Sequence, residues 1–407
     1  MLRRQLLKAI AAAPLLALGP RLYGAELPQP GPRLVVVLLR GGLDGLSAVV
    51  PWADADYRAA RPRIGLGAPG TAGGVLDLDG RFGLHPALAP LMPLWSAGLL
   101  ACVHACGSPD PTRSHFDAQD DLDTGTPGRR STASGWLNRL LTELPQARGP
   151  TAGLSVGAQI PRLLSGPRPV AMLASGRGAG RASAMDRPGL ATALDRLYAP
   201  DDALGRAWRT GRAARAELMA GLNGADAGAD REAEDTARGW SGDAIRLARL
   251  MRNEPKLRVA ALTLGGWDTH ISQGSAEGQL ARRLGPLADG LAAFAQALGP
   301  LLAETLVVVV SEFGRTVREN GNSGTDHGHG GVLWLLGARV HGGRMHGDWP
   351  GLGEAARWQG RDLAVSTDFR TVLWRALGAH FALDDAALAR VLPGFKFPAG
   401  ALDGLTG

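Results

Sequence analysis

The sequence predicts an α/β fold with three layers, a mostly parallel central sheet flanked by helices. Unbroken β-branched or leucine-rich runs at 34–39, 99–105, 257–264, 305–310 and 332–336 are each bounded by turn residues. Continuous apolar runs of that length suit strands buried on both faces, as in a parallel sheet. Helical patterns lie between them. The clearest is Leu280, Leu284, Leu287, Leu291, Phe294 and Leu298, whose spacings of three and four residues put one apolar face on a helix. Strand runs alternating with helical repeats indicate a layered α/β domain. The apolar fraction of 45% supplies an ample core for it. A chain of 407 residues admits two or three domains or one large one, and we place one domain at 32–400.

The N-terminus carries Arg3-Arg4 before Gln5, Leu6, Leu7 and Lys8, then an apolar run at 9–18 and small residues at Gly24-Ala25. A basic start, a short apolar stretch and small residues read as an export signal over 1–25, of the twin-arginine type that passes folded proteins to the twin-arginine export machinery. A retained basic helix is the alternative. The signal implies a periplasmic or secreted protein whose metal or cofactor is loaded before export. No later run reads as long and apolar enough to cross a bilayer, so integral membrane association is not expected.

The net charge of +6 invites a nucleic-acid reading, but lysine occurs only at Lys8, Lys256 and Lys396, and arginine is scattered. Aromatic residues are not interleaved with basic clusters as a stacking groove requires, so nucleic acid is disfavoured. The only cysteines, Cys102 and Cys106, fall in the run at 99–105 and its end. Four residues apart on one face of a strand they sit roughly 13 Å apart, too far for a disulfide. Two buried thiols are expected; a Cys-Val-His-Ala-Cys metal site would need a loop or helix there. The stretch 167–242, rich in Gly, Ala, Arg and Asp with broken periodicity and no strong strand, reads as a helical insertion or cap.

The strand runs lead into polar motifs. The first presents Asp44, the second Arg113, Ser114 and His115 ahead of a helix, and the third Asp268 and His270. The fourth presents Glu312 and Arg315, followed by the glycine-flanked Asp326, His327 and His329. Ligands of open parallel sheets bind beyond the carboxyl ends of the strands, so these motifs converge on one edge. Imidazole and carboxylate are ligands for divalent zinc, manganese or iron, or calcium where fewer histidines bind. We take Asp44, Asp268, His270, Glu312, Asp326, His327 and His329 as metal-ligand candidates for one or two ions. Each has a plainer alternative. Asp44 or Ser114 could cap a helix, His270 could sit hydrogen-bonded in a turn, and Glu312 could pair with Arg315. His85 and His104 read as structural, and His341 and His346 as solvated.

The ordered motifs RGGLDGL, RSHF, GGWDTH, SEFGRT, ENG, GTDHGHGG, GDWPGL and TDFR resemble the exported bacterial family catalogued as domain of unknown function 1501, from about Arg33 to Gly394. That family is similar to the alkaline phosphatase and sulfatase superfamily. The resemblance implies an alkaline-phosphatase-like fold with a sheet-edge site for one or two divalent metals. On it Asp44 takes the first aspartate position and Ser114 the position of a nucleophile heading a helix. Asp268 and His270 resemble the ligands of one metal, and Asp326 and His327 the Asp-His pair of the other. Either Glu312 or Asp326 takes the strand-end role.

The expected activity is metal-dependent hydrolysis of phosphate or sulfate esters, small-molecule or polymeric. A metal-activated Ser114 would be the nucleophile, and Arg113 or Arg315 would clamp the anionic group. The alternatives are a non-catalytic exported protein with a structural metal, or a carbohydrate or polymer binder using Trp267 and Trp349.

Overall fold

A computed structural model describes residues 31–406 apart from 177–178, 180–183, 225–226 and 238–239. The expected export signal at 1–25 lies outside the described residues. The main sheet contains β1 (Arg33–Arg40), β2 (Leu100–Gly107), β3 (Gly153–Val156), β4 (Ala171–Leu173), β5 (Val259–Gly265), β6 (Thr305–Ser311), β7 (Gly331–Leu336), β8 (Arg344–His346) and β9 (Thr367–Asp368). Their order is β8-β2-β7-β6-β1-β5-β3-β4, with β9 also on β2. The central strand β1 pairs in parallel with β5 (Leu34 opposite Val259) and with β6 (Leu34 opposite Leu306).

The predicted mostly parallel sheet is therefore present, with one correction. The run at 332–336 forms β7, antiparallel to both β2 and β6. A parallel neighbour would need a crossover, usually helical, whereas an antiparallel return needs none. Because β7 starts at the edge where β6 ends, the intervening loop 312–330 begins and finishes at that edge. This is how the polar motifs of that loop stay there.

The longer helices are α1 (His115–Thr124), α2 (Trp136–Glu143), α3 (Pro188–Leu197), α4 (Ala203–Leu222), α5 (Ala227–Thr236), α6 (Ser241–Asn253), α7 (Gln279–Leu298), α8 (Phe369–Phe381) and α9 (Asp385–Val391). Alternation along β1 separates two cores. Val35, Val37 and Leu39 pack with buried residues of α4, α6 and α7. Leu34, Val36 and Leu38 pack with those of α1, α2, α8 and α9. Helices thus cover both faces of the sheet, making three layers.

The stretch 167–242 holds α3, α4 and α5 and also the edge strand β4, which the sequence did not signal. The segment Gln279–Glu304 is long and apolar enough, by length and composition, to cross a membrane, contrary to the sequence reading. Its apolar stripe is nonetheless spent on the core: Leu280, Leu284, Leu287, Leu291, Phe294 and Leu298 are all buried against the sheet.

Cys102 and Cys106 are free and buried, and burial pushes both thiols up. They do not share a face as expected, since Cys102 lies in one core and Cys106 in the other. Ala105, at φ 51°, and a register shift opposite it form a bulge that reverses the alternation. His104 hydrogen-bonds the Val49 carbonyl at 2.8 Å and His85 faces the Ser275 carbonyl at 2.9 Å, both structural as read. Trp267 is buried and Trp349 half-buried against Phe82 and His104, which removes the exposed platform of the polymer-binding alternative.

Candidate metal centre

The carboxyl ends of β1, β2, β5 and β6 lead to one edge, and close backbone contacts lock their loops together. Gly41 follows β1 at φ 122°, and a Cβ there would lie 2.7 Å from the Asp268 backbone nitrogen. Only glycine permits that approach of the β1 and β5 turns. The buried Trp267, its indole N–H donating to the Leu264 carbonyl at 2.9 Å, fixes the turn that presents Asp268 and His270. The loop after β6 folds back on itself. The Thr316 amide donates to the Asp326 carbonyl at 3.0 Å and the Gly328 amide to the Gly314 carbonyl at 2.9 Å, with Arg315 bridged to His327. That return brings Asp326 and His327 beside Asp268 despite their distance from the strand end. His115 arrives from the first turn of α1.

Three imidazoles meet the Asp268 carboxylate. Asp268 Oδ1 lies 3.0 Å from His270 Nε2 and 3.2 Å from His327 Nε2, and Oδ2 lies 3.5 Å from His115 Nε2. The Nε2 atoms of His270 and His327 are 3.0 Å apart. One donor atom from each of His115, Asp268 and His327 lies within 4.8 Å of the others. Metal bonds of about 2.0–2.1 Å at tetrahedral angles put neighbouring donor atoms roughly 3.3 Å apart. The contacts of Asp268 with the three imidazoles and of His270 with His327, at 3.0–3.5 Å, match that. His270 lies outside the group of three whose donor atoms all fall within 4.8 Å.

The far side of each ring explains why these nitrogens converge. His115 Nδ1 contacts Glu312 Oε1 at 2.9 Å, His270 Nδ1 contacts Asp326 Oδ1 at 3.2 Å, and His327 Nδ1 contacts the Arg113 carbonyl at 2.8 Å. An oxygen acceptor at Nδ1 holds the proton there and leaves the Nε2 lone pair for a ligand role. His115 Nε2 is enclosed and has no hydrogen-bond partner, an orphan that a cation would satisfy.

Charge agrees with geometry. Burial alone would raise the Glu312 carboxyl, but hydrogen bonds from His115, Gln119 and the Gly41 amide hold it at about 2. The Glu312 contact in turn raises His115. Burial opposes ionisation of Asp268, yet Arg315, 2.5 Å from its Oδ1, keeps its pKa below the ordinary value. A hydrogen bond from Asn320 does the same for Asp326. Burial lowers His327, favouring the neutral ring that a metal requires. Asp268, Glu312 and Asp326 outnumber Arg315 around the converging nitrogens, while Arg361 also acts on Asp326 and the raised His115 favours its charged form. The cluster is compatible with a divalent ion.

The predicted residues divide accordingly. Asp268, His270 and His327 supply converging donor atoms. Glu312 and Asp326 orient His115 and His270 from behind. Asp44 is not brought to the cluster. It is fully buried, and Arg61 donates to both its oxygens at 2.7 and 3.0 Å, with Gln273 at 2.7 Å on one of them. His329 also lies apart, its Nε2 on the Ser108 carbonyl at 2.9 Å and its ring against Trp358.

Arg315 cannot clamp a substrate. Its buried guanidinium is spent on the carbonyls of Gly42, Gly41, Thr325 and Trp267 and on Asp268. Arg113 holds Asp362 at 2.6 Å. Ser114 caps α1, accepting the Asp117 amide at 3.4 Å, between two residues that touch the cluster. His115, named at its strand end but left out of the ligand candidates, also brings a donor atom to the cluster. Its signal was available in the RSHF motif, as a histidine in the first turn of a helix at a strand end.

The family described as "Protein of unknown function (DUF1501)" matches residues 32–392. No curated protein matches the chain in sequence. Among solved structures, Ps i-CgsB in complex with k-i-k-neocarrahexaose is 10% identical with a TM-score of 0.36, covering 77% of this chain and 68% of that one. The lipoteichoic acid synthase LtaP from Listeria monocytogenes is 9% identical with a TM-score of 0.31 and the same coverages, 77% and 68%. Similarity at that level carries no argument about chemistry.

Proposed function

The chain belongs to the DUF1501 family, and we propose that it is an exported, divalent-metal-dependent hydrolase of phosphate or sulfate esters. The observation supporting this reading is the convergence of three imidazole Nε2 atoms on Asp268, each ring pinned from behind by an oxygen acceptor. His115, Asp268, His270 and His327 would hold the ion. When bound, it supplies Lewis acidity toward an ester oxygen. The exposure of Asp268 (44%) and His270 (38%) favours a reacting centre over a closed structural site, since catalytic sites keep an open position.

Ser114 is the nucleophile this reading assigns. Its oxygen accepts only a long cap bond, and the N-terminus of α1 stabilises negative charge developing on it. Attack by Ser114 Oγ on phosphorus or sulfur would form a seryl ester and break the bond to the alcohol oxygen, which leaves as the alcohol carrying the proton lost from the Ser114 hydroxyl. Water then breaks the bond to Ser114 and restores the hydroxyl. Arg315 keeps Asp268 ionised throughout and does not touch substrate.

The test is turnover of a panel of phosphomonoesters, phosphodiesters and sulfate esters by metal-replete protein. Hydrolysis that chelation abolishes is expected, and no turnover of any ester refutes the hydrolase reading. If stoichiometric metal then only raises the melting temperature, the centre is structural. Export is tested separately: a fusion carrying Arg3→Lys and Arg4→Lys should stay in the cytoplasm, and continued export contradicts the twin-arginine route.

A further inference from the structure

Beside the metal centre, a short hairpin pairs Arg357–Trp358 with Asp362–Leu363. Its turn places Gln359 and Gly360 at φ 54° and 66°, with the Arg361 amide donating to the Trp358 carbonyl at 3.1 Å. A left-handed glutamine is a costly choice that the surroundings must impose. Here its side chain is used, since Gln359 Oε1 accepts from Arg113 Nη2 at 2.9 Å. The hairpin is fastened to the site loop, with Thr316 bridged to Asp362 and the Gly330 amide donating to the Leu363 carbonyl at 2.8 Å.

The fully buried Asp362 side chain holds two arginines. Arg113 donates to its Oδ2 at 3.1 and 2.6 Å, and Arg361 Nη1 to its Oδ1 at 2.9 Å. Both arginines also grip His327. The Arg113 carbonyl contacts its Nδ1 at 2.8 Å, and Arg361 Nη1 donates to its carbonyl at 2.9 Å. Two guanidiniums on one carboxylate leave one surplus positive charge. Arg113 Nη1 and Arg361 Nε and Nη2 have no hydrogen-bond partner among the described residues, and the two side chains are 35% and 40% exposed. A single arginine would satisfy a buried carboxylate. The second makes a cation with unused, forked donors against a metal-ligand candidate, an arrangement suited to tetrahedral oxyanions.

We propose that Arg113 and Arg361, held by Asp362, form a subsite for a singly charged tetrahedral oxyanion ester, a sulfate monoester or a phosphodiester, at the His327 flank of the metal centre. The proposal deepens the hydrolase reading and rests on it for the reacting centre. Binding itself can be measured without turnover.

The probes are methyl sulfate and dimethyl phosphate, whose poor leaving groups keep them intact during calorimetric titration of the full chain. Wild-type protein should bind at least one of them, and which one identifies the ester class. Arg361→Gln should weaken that binding about 10- to 100-fold, the cost of a charge-assisted contact, in a folded variant whose melting temperature falls because the buried Asp362 and the His327 carbonyl lose a donor. Arg361→Lys, which keeps the charge and loses the fork, should fall between and decides the matter if the glutamine variant does not fold. Equal affinity in wild type and variants, or no binding of either probe by wild type, overturns the subsite. Wild-type protein that lacks metal yet loses anion affinity in Arg361→Gln would refute the metal reading and leave the subsite standing.

Discussion

Glu312→Gln separates charge from shape at the metal centre. Glu312 Oε1 accepts from the Gly41 amide at 2.8 Å, His115 Nδ1 at 2.9 Å and Gln119 Nε2 at 3.0 Å. Oε2 lies 3.0 Å from Ser311 Oγ, whose one proton is shared between it and the Leu39 carbonyl at 2.6 Å, and the Glu312 amide also bonds the carboxylate. A glutamine with its carbonyl at the Oε1 position keeps all three acceptor bonds. Its amide nitrogen donates to Ser311 Oγ, whose proton stays on Leu39. The substitution therefore costs little folding stability and removes one negative charge behind His115. Loss of such an orienting partner weakens metal binding about 10- to 100-fold, or ~1.4–2.7 kcal/mol.

The assay is competition for zinc or manganese against a chromophoric chelator, with thermal melting of metal-free protein beside it. Weakened metal with an unchanged melt is expected. Unchanged metal affinity in a folded variant refutes the role given to Glu312. Glu312→Ala is the contrasting control. It strands three donors and should destabilise the fold by about 1–3 kcal/mol for each buried group left unpaired.

Other substitutions test the division of roles. His115→Ala should abolish stoichiometric metal, whereas His329→Ala should retain it; elemental analysis of both decides. Ser114→Ala removes a helix cap, costing about 1 kcal/mol in denaturant melts, and should lose ester turnover while keeping metal; retained turnover excludes the nucleophile. Asp44→Asn leaves the buried Arg61 charge without its partner and should cost about 3–5 kcal/mol in urea unfolding. The Asp44 pKa is depressed because Arg61 outweighs burial, so its stabilisation is full above the ordinary carboxylate value of 3.8 and fades as pH falls below it. The acid limb of Asp44→Asn should accordingly be shallower than that of wild type, and superimposable limbs would contradict the assignment.

The layered fold was legible because buried parallel strands read as unbroken apolar runs, and β1, β2, β5 and β6 fall where those runs lie. The antiparallel sense of β7 was not, because a fully buried strand has the same pattern in either direction. The bulge at Ala105 was hidden for a related reason, since one left-handed alanine leaves no compositional trace. In the site, the motifs located the edge and gave Asp268, His270 and His327. They could not separate residues whose donor atoms converge from residues that hydrogen-bond behind them, because Glu312 and Asp326 are chemically able to do either. Asp44 was drawn into the ligand set by its strand-end position, and its partner Arg61 lies in a helix-turn segment that no motif connects to it. The pairing of Arg113 with Arg361 through Asp362 joins residues far apart in sequence, so only folding reveals it.

The central claim is that His115, Asp268, His270 and His327 hold one divalent ion. Elemental analysis of wild-type protein and of His327→Ala, both exported in the native host and purified without added metal, tests it directly. We expect one equivalent of a divalent metal in the wild type and near none in a folded His327→Ala variant. Equal metal in both, or none in the wild type even after loading with zinc, manganese, iron and calcium, would contradict the account.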